Sequence, residues 1–142
     1  MDKDIVNFFK YIGFYDEEFF KLLEKKTIII NQPYEDIKEL IGVFQNEDGT
    51  DFRVYLPKLT CLKDYLIHVH EYSHAMFLDD EEEIFPNLME VYFIEKYIKN
   101  KQTIEEIINH TEKEIKLSYS DKHSIAKKIK INELLNYKNK LN

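Results

Sequence analysis

Leu66-Ile67-His68-Val69-His70-Glu71-Tyr72-Ser73-His74-Ala75-Met76 is the stretch on which the reading of this chain turns. It carries His-Glu-x-x-His over residues 70–74, inside a run from Leu59 to Leu78 that lacks Gly and Pro, with Pro57 just ahead. A helix starting near Thr60 and running past His74 is therefore expected. On such a helix His70 and His74 share one face a turn apart, and Glu71 projects about 100° round from His70. Two imidazoles at that spacing can share one tetrahedral zinc ion, with Glu71 poised beside the water it activates. A lone histidine at the edge of an apolar face is more simply a hydrogen-bonded core residue. Two at i and i+4 with a glutamate between them reverse that preference. Zn2+ is thus the expected cofactor, with His70 and His74 as ligands. Leu62, Tyr65, Leu66, Val69, Ser73, Met76 and Phe77 form the arc expected to face the core, with both histidines at its margin.

Before this helix, Asp4 to Tyr11 and Asp16 to Lys26 read as two helices parted by Gly13, with Asp16 as N-cap. Thr27-Ile28-Ile29-Ile30 reads as a short buried strand, and Pro33 begins a helical turn through Leu40. Ile41 to Gln45 and Asp51 to Leu56 flank Asn46-Glu47-Asp48-Gly49, whose Asp-Gly pair signals a hairpin. Beyond the motif, Ile84 to Asn100 reads as a helix. Thr103-Ile104-Glu105-Glu106 has capping-box form and opens another to about Leu117. The last helix spans Asp121 to Tyr137, starting at Ser120 or Asp121. The expected fold class is α+β: a small N-terminal sheet with a hairpin, then a mostly helical half.

Composition bounds the function. A chain of 142 residues suits one domain, residues 1–142, whose core needs no disulfide. An apolar fraction of 44%, with ten Phe and ten Tyr, describes a folded chain. The lone Cys61 rules out a disulfide framework and leaves His and carboxylates as zinc ligands. No secretory signal or membrane span is visible, so a cytoplasmic location and no membrane partner are expected. A net charge of −7 argues against nucleic acid as a partner. The lysines between Lys122 and Lys140 read as a solvated helix face.

A third zinc ligand must come from elsewhere. Asp79-Asp80-Glu81-Glu82-Glu83 reads mostly as a solvated acidic turn. On the following helix Glu90 falls among Met89, Phe93, Ile94 and Tyr97, where an unpaired carboxylate would be costly. It therefore needs a partner, which zinc or a zinc-bound histidine would supply. Glu83 lies on the same line two turns earlier. Hairpin geometry brings Glu90 level with His74 if the second helix begins at Pro86, and Glu83 if it begins near Glu81.

The segment from Leu66 to Tyr97 resembles the zinc core of the thimet oligopeptidase and oligoendopeptidase family, which is of gluzincin type. That family has His-Glu-x-x-His followed by a helix with two glutamates seven residues apart, a spacing met here by Glu83 and Glu90. The resemblance implies a zincin-like fold, Glu83 as metal ligand and Glu90 as a carboxylate holding a histidine. The connection from His74 to Glu83 is shorter than that family's, and Pro86 stands one place late. The resemblance further implies peptide hydrolysis, with Glu71 as general base and an oxyanion donor from a downstream turn. Within Leu117 to Ala126, Tyr119 is the first candidate for that donor and His123 the second. It also implies that an edge strand before the motif, here residues 51–56, pairs with an extended substrate.

A chain this short implies an open groove, and so a flexible peptide substrate or a protein partner or oligomer that completes the site. The leading expectation is a small zinc metallopeptidase. Two alternatives are a non-catalytic zinc-binding interaction or regulatory protein, and an acidic helical interaction module in which the motif is accidental. His68 and His110 are expected to be structural.

Overall fold

Local sequence signals account for most of the elements. The computed structural model describes residues 1–80, 82–118 and 120–141. They form an α+β chain of two compact units, Met1–Asp79 and Asp80–Asn142.

In the first unit, α1 (Lys3–Tyr11) opens at Asp2, whose Oδ1 accepts from the Asp4 and Ile5 amides at 2.9 and 3.2 Å. Next, α2 (Glu17–Lys26) is capped by Asp16, whose Oδ2 accepts from the Phe19 amide at 2.8 Å. Strand β1 (Thr27–Ile30), helix α3 (Tyr34–Ile37) and a 3-10 turn (Lys38–Leu40) follow. The hairpin consists of β2 (Gly42–Gln45) and β3 (Phe52–Pro57), turning at Gly49 with φ of +72°.

The sheet order is β1-β3-β2, with β1 parallel and β2 antiparallel to β3. Thr27 lies opposite Val54, and Val43 lies opposite the same residue on the other side. The strand at 52–57 is thus the middle one, which corrects the expectation that it offers an edge to a substrate. Both of its backbone edges are already hydrogen-bonded. The expected burial of β1 is also revised, since Ile28 and Ile29 are exposed at the sheet's rim.

The core side of β3 matches its alternation: Phe52, Val54 and Leu56 are buried and Arg53 is exposed. Phe8, Phe9 and Phe20 add an aromatic cluster, with Phe9 and Phe20 edge-to-face at 5.3 Å. Helix α4 (Leu62–Met76) packs on β3 and carries the His-Glu-x-x-His segment. It buries Leu66, His68, Val69, Tyr72, Ser73 and Ala75. That face is rotated from the expected arc. Phe77 lies beyond the last turn and is exposed, while Tyr72 and His68 point inward.

In the second unit, α5 (Ile84–Tyr97), α6 (Lys101–Leu117) and α7 (Asp121–Lys140) form a helical group in which α7 packs on both others. The cap of α6 is Asn100, whose Oδ1 accepts from the Thr103 amide at 3.1 Å. Thr103 therefore lies inside the helix and does not open it. The Tyr137 hydroxyl donates to the Ile98 carbonyl at 2.6 Å, tying α7 to the end of α5. Lys130 is 6% exposed on the Ala126–Leu134 line of α7, so this lysine is no part of a solvated face.

Candidate metal centre

The start of α4 is set by Asp64. Its Oδ2 accepts from the Thr60 amide at 2.8 Å, the Thr60 hydroxyl and the Cys61 amide at 3.2 Å. Burial by itself would push this carboxyl up. The bonds from Thr60 and Cys61 outweigh it, and the net effect holds the carboxyl below its ordinary value.

Further along α4, the His70 and His74 rings lie one turn apart with centroids 4.9 Å from each other and planes inclined at 69°. Both side chains are half-buried, as is Glu71 between them. The opposite side of this turn is fixed in the core. The Ser73 hydroxyl donates to the Val69 carbonyl at 2.7 Å, and His68 Nε2 lies 2.7 Å from the Pro57 carbonyl oxygen. A carbonyl can only accept, so Nε2 of His68 carries the proton. Burial lowers the His68 pKa, and the bond to Pro57 opposes this only in part. His68 is therefore a core residue, anchoring the helix that presents the other two imidazoles.

Glu83 stands at the N-cap position of α5 without capping its own helix. Its backbone is pinned by buried Asn87, whose Nδ2 donates to the Glu83 carbonyl at 2.7 Å. Its carboxylate is half-buried, while Asp79, Asp80 and Glu82 are exposed as a solvated turn should be. Glu81 lies outside the described residues. On α4, His70 and His74 offer two ring nitrogens from one face of the helix that could ligate a metal ion, and Glu83 separately offers a carboxylate oxygen.

Glu90 has a different setting. It is 8% exposed, and its Oε1 accepts from the Lys130 ammonium at 3.0 Å. The sequence reading required a partner for this carboxylate but passed over Lys130, forty positions away. The available signal was the placement of Lys130 between Ala126 and Leu134 at helical spacing, on a line otherwise apolar.

His123, on the first turn of α7, lies with Nε2 3.5 Å from Glu83 Oε1. His110 is exposed and pairs with Glu114 at 3.7 Å, a surface contact. Tyr119 lies outside the described residues.

Comparison of the chain with known protein families, with characterised proteins and with solved structures found no match. Among the described residues, no helix is long and apolar enough to cross a membrane.

Proposed function

We propose that this chain is a small zinc-dependent peptidase of zincin-like, gluzincin type, akin to the oligopeptidase family whose zinc core its motif resembles. The observation that carries the reading lies on α4: the His70 and His74 rings stand a turn apart with centroids 4.9 Å from each other, and Glu71 is half-buried between them. His70 and His74, with Glu83 as the proposed third ligand, would hold the zinc ion. Two histidines and one carboxylate leave a fourth position for water or substrate, the pattern of catalytic and not structural zinc.

A zinc ion held there supplies a Lewis acid that acidifies water and polarises a carbonyl. His70 and His74 bind through ring nitrogens held on one face by the rigid turn of α4. Glu71 accepts the proton of the attacking water at its carboxylate and passes it to the leaving amine. Tyr119, two residues before α7, is the donor proposed for the developing oxyanion. Among the described residues β1 and β2 pair only with β3, so an extended peptide can add only to their outer edges. The lone Cys61 accords with a reducing, cytoplasmic setting.

The test compares the unsubstituted chain with Glu71→Gln for zinc content and for cleavage of a mixed peptide library. Both should carry zinc at about one equivalent, and the substitution should slow cleavage by about 10²-fold or more. Equal cleavage by the two proteins, or no zinc in either, would refute the proposal.

A further inference from the structure

We propose that the cavity at the carboxyl ends of β1 and β3 binds a free α-amino acid, with its carboxylate on Lys58 and its ammonium on Asp64. The whole cavity belongs to the first unit, and nothing in the proposal depends on a metal.

The sheet builds the place. In the parallel pair Ile30 lies opposite Pro57, the last residue of each strand, so both chains leave the sheet at the same end. One continues through Asn31 and Gln32 to α3, the other through Lys58 to α4, and a cavity of about 370 Å³ lies where they part. Crevices at the carboxyl ends of parallel strands are recurrent ligand sites, and this volume falls at the lower end of the small-molecule range. The walls are fixed from within the unit. His68 Nε2 donates to the Pro57 carbonyl at 2.7 Å, and Lys63 on α4 reaches Glu35 on α3 at 3.1 Å.

Two opposite charges line this cavity without meeting. Asp64 is 5% exposed, and its described bonds, from Thr60 and Cys61, all end on Oδ2. Oδ1 accepts from none of the described residues. Since no buried side-chain nitrogen or oxygen among them lacks a partner, Oδ1 is open to solvent, and Asp64 lines the cavity. Lys58 lines it too, and among the described residues no carboxylate pairs with its ammonium, that of Asp64 included. A cation and an anion that share a cavity and stand apart fit a ligand carrying both charges. A simple anion such as phosphate would be repelled by Asp64, and a simple amine by Lys58. The carboxamides of Asn31 and Gln32 both donate and accept, so they serve either end of a zwitterion. The rings of Pro33 and Pro57 offer an apolar wall to its side chain.

The experiment screens the protein amino acids singly against the full chain by thermal shift and titrates the best by calorimetry, with and without EDTA. At least one should bind, with the same affinity in both buffers. Its N-acetyl and amide derivatives each lack one charge and should bind about 10-fold or more weakly. Lys58→Met, a change at an exposed side chain, should weaken the parent amino acid by as much. The double variant Asn31→Ala/Gln32→Ala, also exposed, should weaken it about 5-fold. Circular dichroism checks that both variants are folded. Binding by no amino acid at millimolar concentration overturns the proposal, as does an affinity unchanged in Lys58→Met. Binding that EDTA abolishes overturns it in favour of a metal at His70 and His74. Binding of inorganic phosphate or glucose in preference to every amino acid overturns the zwitterion and assigns the cavity to an anion or a polyol.

Discussion

Replacing Asp64 by Ala should loosen the start of the helix that carries His70 and His74, by an amount the structure lets one work out. The carboxylate receives the Thr60 amide at 2.8 Å, the Cys61 amide at 3.2 Å and the Thr60 hydroxyl. Hydrogen bonds to a charged acceptor contribute about 1.5–3 kcal/mol each when lost singly. Thr60 and Cys61 are exposed, however, so water takes over the released donors and the full penalty of a buried orphan does not apply. Loss of an N-terminal cap costs about 0.5–2 kcal/mol, and the extra bond raises the expectation to about 2–3 kcal/mol. For a chain of this size that is roughly a 7–10 °C fall in Tm.

The pH dependence follows from the direction of the shift. The folded carboxyl sits below its ordinary value, so the unfolded chain takes up its proton first as the pH falls. The stabilising effect of Asp64 is therefore complete above about pH 4 and fades as the pH drops through the folded pKa. Urea melts of both proteins between pH 7 and pH 2.5 check this. The gap between them should narrow on the acid side, and Asp64→Asn should fall between them at pH 7. A loss under about 0.5 kcal/mol at pH 7, or a gap that does not change with pH, refutes the account of how this helix begins.

Other consequences concern parts of the fold away from that cap. Lys130→Ala removes the ammonium that donates to the buried Glu90 carboxylate at 3.0 Å, and should cost about 3–5 kcal/mol in a denaturant melt. A loss below about 1 kcal/mol would mean that other groups suffice to hold that carboxylate. Gly49→Ala forces a side chain onto a φ of +72° and should cost about 1–2 kcal/mol through backbone strain, since the added Cβ would meet Gln45 Nε2 only at 3.9 Å, an ordinary contact. An unchanged Tm in that variant would show the hairpin turn relaxing freely. Chelation of a zinc-loaded sample should abolish peptide cleavage and restore it on adding zinc back. Cleavage that survives chelation would remove the metal from the mechanism.

Much of this molecule was legible one segment at a time. Asp16 caps its helix through a short side chain acting on an amide three residues away. The Asp48-Gly49 turn and the alternation at residues 52–56 declare a hairpin within a dozen positions. The four-residue spacing of His70 and His74 decides that their rings share a face as soon as the segment is helical. All these are local consequences of torsion preferences and helical or strand period.

What the tertiary structure alone decided involves groups far apart in the chain. The parallel pairing of β1 with β3, which puts residues 52–57 in the middle of the sheet, joins strands linked through α3 and β2. No local preference encodes that order. The face of α4 that turns inward depends on Pro57 accepting from His68, a contact no helical wheel contains. Lys130 reaches Glu90 because α7 packs back on α5, and a buried charge takes whichever opposite charge that packing delivers. Period and capping act over a turn or two of chain, whereas pairing order and ionic partners are settled only when distant segments compete for the same buried space.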